Sequence, residues 1–169
     1  MRDALKPQCS VMKRLLLSLL APLALSAMSP PTSPRPKPDP DAAAVMETIQ
    51  AMLGGIAAHD SAAVLAVLRP EGKATVSVER PDRSSFLRHP SWAEFVASIK
   101  PGPEKLEPRL HEPLVKVDGD IAMAWTPYTF SIDGKVHHCG VNHFDLVRED
   151  GRWKILNVTY SYRTTGCVG

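Results

Sequence analysis

No surplus of charge survives in the body of this chain. Its formal +2 comes from the first residues, where Arg2, Lys6, Lys13 and Arg14 gather. From Met28 onward, 16 Lys and Arg face 17 Asp and Glu. A basic stripe for nucleic acid or for an anionic membrane surface is therefore missing. Cysteine is scarce too, with three in 169 residues. No internal repeat or heptad pattern runs through the chain. Nor is there a Gly-x-Ser-x-Gly elbow, a phosphate loop or a Gly-x-Gly-x-x-Gly turn. Nucleophilic hydrolysis and nucleotide-dependent chemistry lack their usual carriers, and no cofactor is expected.

What is present begins with an address. Lys13-Arg14 precedes an apolar run at residues 15–25, and small residues follow around Ser26-Ala27. Charged start, apolar middle and small-residue end describe a secretory signal over residues 1–27, with Met12 as an alternative start. The run is too short to span a bilayer and is interrupted by Pro22, so no membrane association is expected after cleavage. The mature protein is then periplasmic or secreted. Cys9 leaves with the leader, which puts Cys139 and Cys167 in an oxidising compartment. They either form one disulfide or stand as a buried thiol and a free one, because spacing alone does not bring two Cα atoms together. Six prolines at residues 28–40 make an extended tether, and the folded domain is expected over 41–169.

Apolar residues at Val45, Ile49, Met52, Leu53 and Ile56 recur at helical spacing behind Asp41 as N-cap. A second helix is expected over 62–68, a strand over 73–79 and a third helix over 92–99. Four long strand-like runs follow at 106–117, 121–132, 135–148 and 153–163. They are separated by Asp118-Gly119, Asp133-Gly134 and Asp150-Gly151, the dipeptide of tight hairpins. Pro127 cannot donate to a ladder, so it marks an edge or a bulge. About three helices followed by a strongly bent antiparallel meander is an α+β arrangement.

Several stretches of this meander carry a resemblance. They are Val117-Asp118-Gly119-Asp120-Ile121-Ala122, Trp125-Thr126-Pro127-Tyr128, His138-Cys139-Gly140-Val141-Asn142 and the closing Gly166-Cys167. With Gly151-Arg152-Trp153-Lys154-Ile155 and the element order, they resemble the nuclear transport factor 2-like superfamily, which includes ketosteroid isomerases and SnoaL-like cyclases. More narrowly, they look like its branch named for suspected lumazine binding. The resemblance covers residues 41–167. It implies a cone-shaped α+β barrel open at one end and often dimerised through the outer sheet face. Fold of this kind leaves function open.

Strand parity nominates a pocket. His138, Gly140, Asn142, Phe144 and Leu146 alternate against His137, Cys139, Val141, His143 and Asp145, and Leu156, Val158, Tyr160 and Tyr162 alternate against Trp153, Ile155 and Asn157. The more apolar faces are assigned to the concave side. His138, Asn142, Tyr160 and Tyr162 then line a cavity, with Trp125 and Tyr128 as walls from the strand before. His138 is the candidate base and Tyr160 the candidate donor of an isomerase, dehydratase or cyclase, but no carboxylate falls on these faces. One from Glu47, Asp60 or Glu94 in the helical part would be needed. His137, Cys139 and His143, with His111 or Cys167, match no metal-ligand spacing, so no metal is expected. The expectation is a binding domain for a small, partly apolar molecule, without an assigned catalytic set. The alternatives are such an enzyme, or a homodimeric scaffold whose pocket is filled.

Overall fold

The computed structural model describes residues 39–167. The leader and most of the proline tether lie outside the described residues. Helix α1 (Pro40–Ala57) is capped two residues before the expected Asp41: Asp39 is the cap and accepts from the Asp41 N–H, with Pro40 opening the helix. Its buried positions Val45, Ile49, Met52 and Gly55 form one stripe. Helix α2 (Ser61–Ala66) is capped by Asp60, and α3 (Trp92–Ala97) by a reciprocal Ser91–Glu94 box. Both are shorter than the apolar spacing suggested.

Seven strands follow one curled sheet: β1 (Leu68–Glu79), β2 (Ser85–Arg88), β3 (Leu106–Leu110), β4 (Leu114–Asp118), β5 (Ile121–Ile132), β6 (Lys135–Glu149) and β7 (Arg152–Tyr162). The order is β2-β1-β7-β6-β5-β3, with β4 also on β5. The meander is antiparallel as expected, and β1, outside it, runs parallel to β7, so the sheet as a whole is mixed. The α1 stripe packs into the concave face, where Ala122, Ala124, Phe144, Leu146, Ile155 and Val158 complete the core.

Asp133 and Gly134, and again Asp150 and Gly151, all have positive φ, as two-residue type I′ hairpins require. At the first turn the Asp118↔Ile121 pair leaves Gly119-Asp120 as the loop, with only Gly119 at positive φ, the pattern of a type II′ turn.

The expected run at 106–117 divides in two. Glu112 has a φ of 42° and Pro113 follows it, which ends β3 and restarts the chain as β4. The expected irregularity at Pro127 is a different one. Its register against β6 is unbroken, and its carbonyl accepts from the His111 N–H. Its nitrogen faces the same side, at the gap between β3 and β4, where a missing donor breaks no ladder. The bulges are instead at His137 in β6 and Leu156 in β7, the residues skipped by the pairs Phe130↔His138 and Ser131↔Val136, and by Asp145↔Asn157 and Leu146↔Ile155. The Leu156 bulge reverses parity, so Trp153 and Ile155 join the core although simple alternation put them outside.

Candidate functional site

The curled sheet, α1 and the segment after α3 enclose a cavity of about 420 Å³. Met52, Leu53 and Ile56 of α1, Phe95 of α3, and Phe144 and Val158 of the sheet make it largely apolar. His138, Asn142, Tyr160, Tyr162 and Tyr128 line it as well. Trp125 does not. It is 48% exposed on the convex face, with its ring 6.1 Å from that of His143.

Tyr128 is committed to the framework. Its hydroxyl donates to the Ser161 carbonyl at 3.0 Å, passing the backbone of Gly140, while the Ser161 hydroxyl accepts the Val141 N–H. Burial pushes the phenol of Tyr128, and that of Tyr160, above the ordinary tyrosine range. Asn142 is 8% exposed at the cavity wall. Among the described residues, no hydrogen bond engages its carboxamide or the Tyr160 hydroxyl. Both are left to face the cavity.

His138 lies between two rings, stacked on Phe130 at 4.7 Å and on Tyr162 at 4.4 Å. Burial, with His137 beside it, lowers its pKa to about 4, so the ring is neutral at pH 7. The bulge brings His137 round until the two Nδ1 atoms are 2.9 Å apart, one donating and the other accepting. His138 meets Tyr128, Phe130, His137 and Tyr162. The proposed base–donor contact with Tyr160 is not among its partners. The carboxylates considered from the helices are placed elsewhere: Asp60 and Glu94 cap helices, and Glu47 is exposed.

The mouth carries groups that the parity of β6 and β7 could not reveal, because three lie on a helix end or loops and the fourth, Arg109, is on β3. His59, Lys100, Glu104 and Arg109 line it. The two His59 nitrogens meet the carbonyl oxygens of Lys100 at 2.6 Å and Glu104 at 3.0 Å. On the convex face a disulfide joins Cys139 to Cys167, and Cys139 and Arg163 exchange backbone hydrogen bonds beside it. Among the described residues, no cluster of His, Cys, Asp and Glu could hold a metal ion.

No family model matches the chain, and no curated protein matches it by sequence. Solved structures do match. An NTF2-like protein of unknown function from Shewanella baltica superposes with a TM-score of 0.55 at 16% identity, over 73% of this chain and 94% of that one. The fold is the nuclear transport factor 2-like fold. A protein of unknown function from Mycobacterium tuberculosis gives a TM-score of 0.58 at 14% identity, over 73% of this chain and 72% of its own. A suspected dehydratase of the NTF2-like family from Streptomyces avermitilis gives 0.52 at 16% identity, over 74% and 97%. At these identities the likeness is one of fold, and the narrower lumazine-binding branch rests on the sequence motifs alone.

Proposed function

We propose that this nuclear transport factor 2-like domain is an exported binding module that holds a small, partly apolar molecule in its conical cavity. The observation that carries the reading is the open cavity itself, with the Asn142 carboxamide and Tyr160 hydroxyl turned into an apolar wall. A volume of about 420 Å³ falls within the usual range for small-ligand sites. Neither group has a hydrogen-bond partner among the described residues, and both line the cavity, so both are available to a ligand. The disulfide and the leader-like residues 1–27 support export.

The runner-up is an isomerase, dehydratase or cyclase with His138 as base, in line with the suspected dehydratase among the fold neighbours. It has less support. A His with a pKa of about 4 is a weak proton acceptor at neutral pH, and no carboxylate orients its ring. The scaffold alternative needs a filled pocket, which the cavity volume disfavours. Self-association is compatible with binding: Leu114, Ile121 and Trp125 are exposed together on the convex face. Sedimentation of the wild type as a dimer and of Trp125→Arg as a monomer is the expected outcome, and a monomeric wild type refutes it.

Native mass spectrometry of protein recovered from its own culture medium, with extraction of any adduct, tests the binding reading. A bound small molecule is expected in the wild type and its loss in Leu53→Trp, which fills the cavity from α1. A bare mass for the wild type, with no saturable uptake of an apolar dye, overturns it.

A further inference from the structure

We propose that the ligand is an acidic amphiphile, with an uncharged body at Asn142 and Tyr160 and an anionic group at Arg88 in a second, adjoining compartment. This deepens the binding reading and rests on it. A second cavity of about 390 Å³ is lined by Val76, Arg88, His89, Pro90, Glu94, Phe95, Ser98 and Tyr160. Phe95, Ser98 and Tyr160 line both cavities. The two cavities therefore adjoin.

Strand register places the two compartments along one face of the sheet. Arg88 pairs with Val76, Val76 with Tyr160, Tyr160 with Asn142, and Asn142 with Thr126. Direct cross-strand partners project from the same face of a sheet, so these residues form one row across five strands. With strands about 4.8 Å apart, Arg88 lies about 10 Å from Tyr160 and about 14 Å from Asn142 along the row. The chemistry along it is graded: a guanidinium, an apolar spacer, a phenol, a carboxamide and a hydroxyl. The last, Thr126, is fully buried, and its Oγ1 lacks a hydrogen-bond partner among the described residues.

Position along the row, in line with Tyr160 and Asn142, selects Arg88 as the end that takes the acid. The walls of the main cavity hold no ionised group deeper than its mouth, and an anion buried against them would be unpaired. At that mouth Arg109 makes no ion pair among the described residues, its neighbour Glu107 being paired with Lys105 at 2.7 Å, and Glu104 lines the rim beside Lys100. Arg88 makes no ion pair among the described residues either. The carboxylate near it, Glu94, already accepts the Ser91 N–H at 2.8 Å and the Ser91 hydroxyl at 2.9 Å. His89 has its Nδ1 3.3 Å from the Thr75 hydroxyl. A guanidinium with its fork unused suits a carboxylate, sulfonate or phosphate group, each of which offers paired oxygens.

The test compares two dyes on the mature protein. Anilinonaphthalene sulfonate carries an apolar aromatic body and one anion, and N-phenylnaphthylamine is the same body without it. Both are expected to bind saturably, the sulfonate about threefold to tenfold more tightly at low salt, an advantage that fades as salt is added. Arg88→Gln, on an exposed strand end, should abolish the advantage and leave the uncharged dye unaffected. Equal affinities in the wild type, or an advantage lost in Arg109→Gln and kept in Arg88→Gln, overturn the acidic-amphiphile proposal while binding stands. Failure of both dyes to bind, or binding undiminished in Leu53→Trp, removes the cavity reading as well.

Discussion

Gly140 stands where a side chain would collide with the last strand: a Cβ there would lie 2.0 Å from the Ser161 carbonyl oxygen. That carbonyl takes the Tyr128 hydroxyl, so the missing side chain at Gly140 leaves room for the contact. Gly140→Ala should destabilise the domain by about 1–3 kcal/mol, read as a lower urea midpoint at unchanged slope. An unchanged midpoint would mean that the strands part at no cost. His138 and His59 pull stability in opposite directions. Burial depresses the His138 pKa to about 4 from an ordinary 6.5, so the unfolded chain binds more protons between those values. Its contribution is present above about pH 6.5 and is lost as the pH falls toward 4. His138→Phe should flatten this acid limb in pH-dependent urea titrations, and a limb of unchanged slope would refute the assignment.

At the scale of elements, His59 closes a loop. Carbonyl oxygens only accept, so its bonds to Lys100 and Glu104 form together only when both ring nitrogens carry protons. The bond to Glu104 and then that to Lys100 raise its pKa. The stabilisation is therefore complete below the ordinary 6.5 and lost as pH rises through the raised value. Hydrogen exchange of residues 98–106, corrected for intrinsic rates, should quicken above that value in the wild type and show no such step in His59→Leu. The Asp-Gly turns made the hairpins legible because only a few residues tolerate the positive φ that one or both loop positions need. The bulges were not legible: nothing in Val136-His137-His138 or Ile155-Leu156-Asn157 announces a skipped residue. At the Leu156 bulge β1 is irregular as well, and its backbone comes so close that a Cβ on Gly72 would lie 1.5 Å from the Leu156 carbonyl oxygen. Simple alternation therefore held for His138, Asn142, Tyr160 and Tyr162 and failed for Trp153 and Ile155. Trp125 was mis-sited because Pro127 leaves the β5 register intact.

For the whole molecule, Cys139–Cys167 closes a sequence separation of 28 residues across the convex face. In the chain-entropy account a loop of that length is worth about 3–4 kcal/mol through the unfolded state. Cys139→Ser with Cys167→Ser should lower the unfolding free energy by up to that amount, and the wild type in reductant should match the double variant. Equal midpoints for oxidised and reduced wild type would refute a stabilising role. The parallel pairing of β1 with β7 has a consequence of another kind. Lys73 and Asn157, 84 residues apart, meet only there. Contacts so distant in sequence must wait for the intervening chain. As the protein is made from its amino end, β1 and the helices precede the strand that completes their sheet. Until that strand emerges the sheet that closes the core is incomplete, so folding of the domain waits for its last strand.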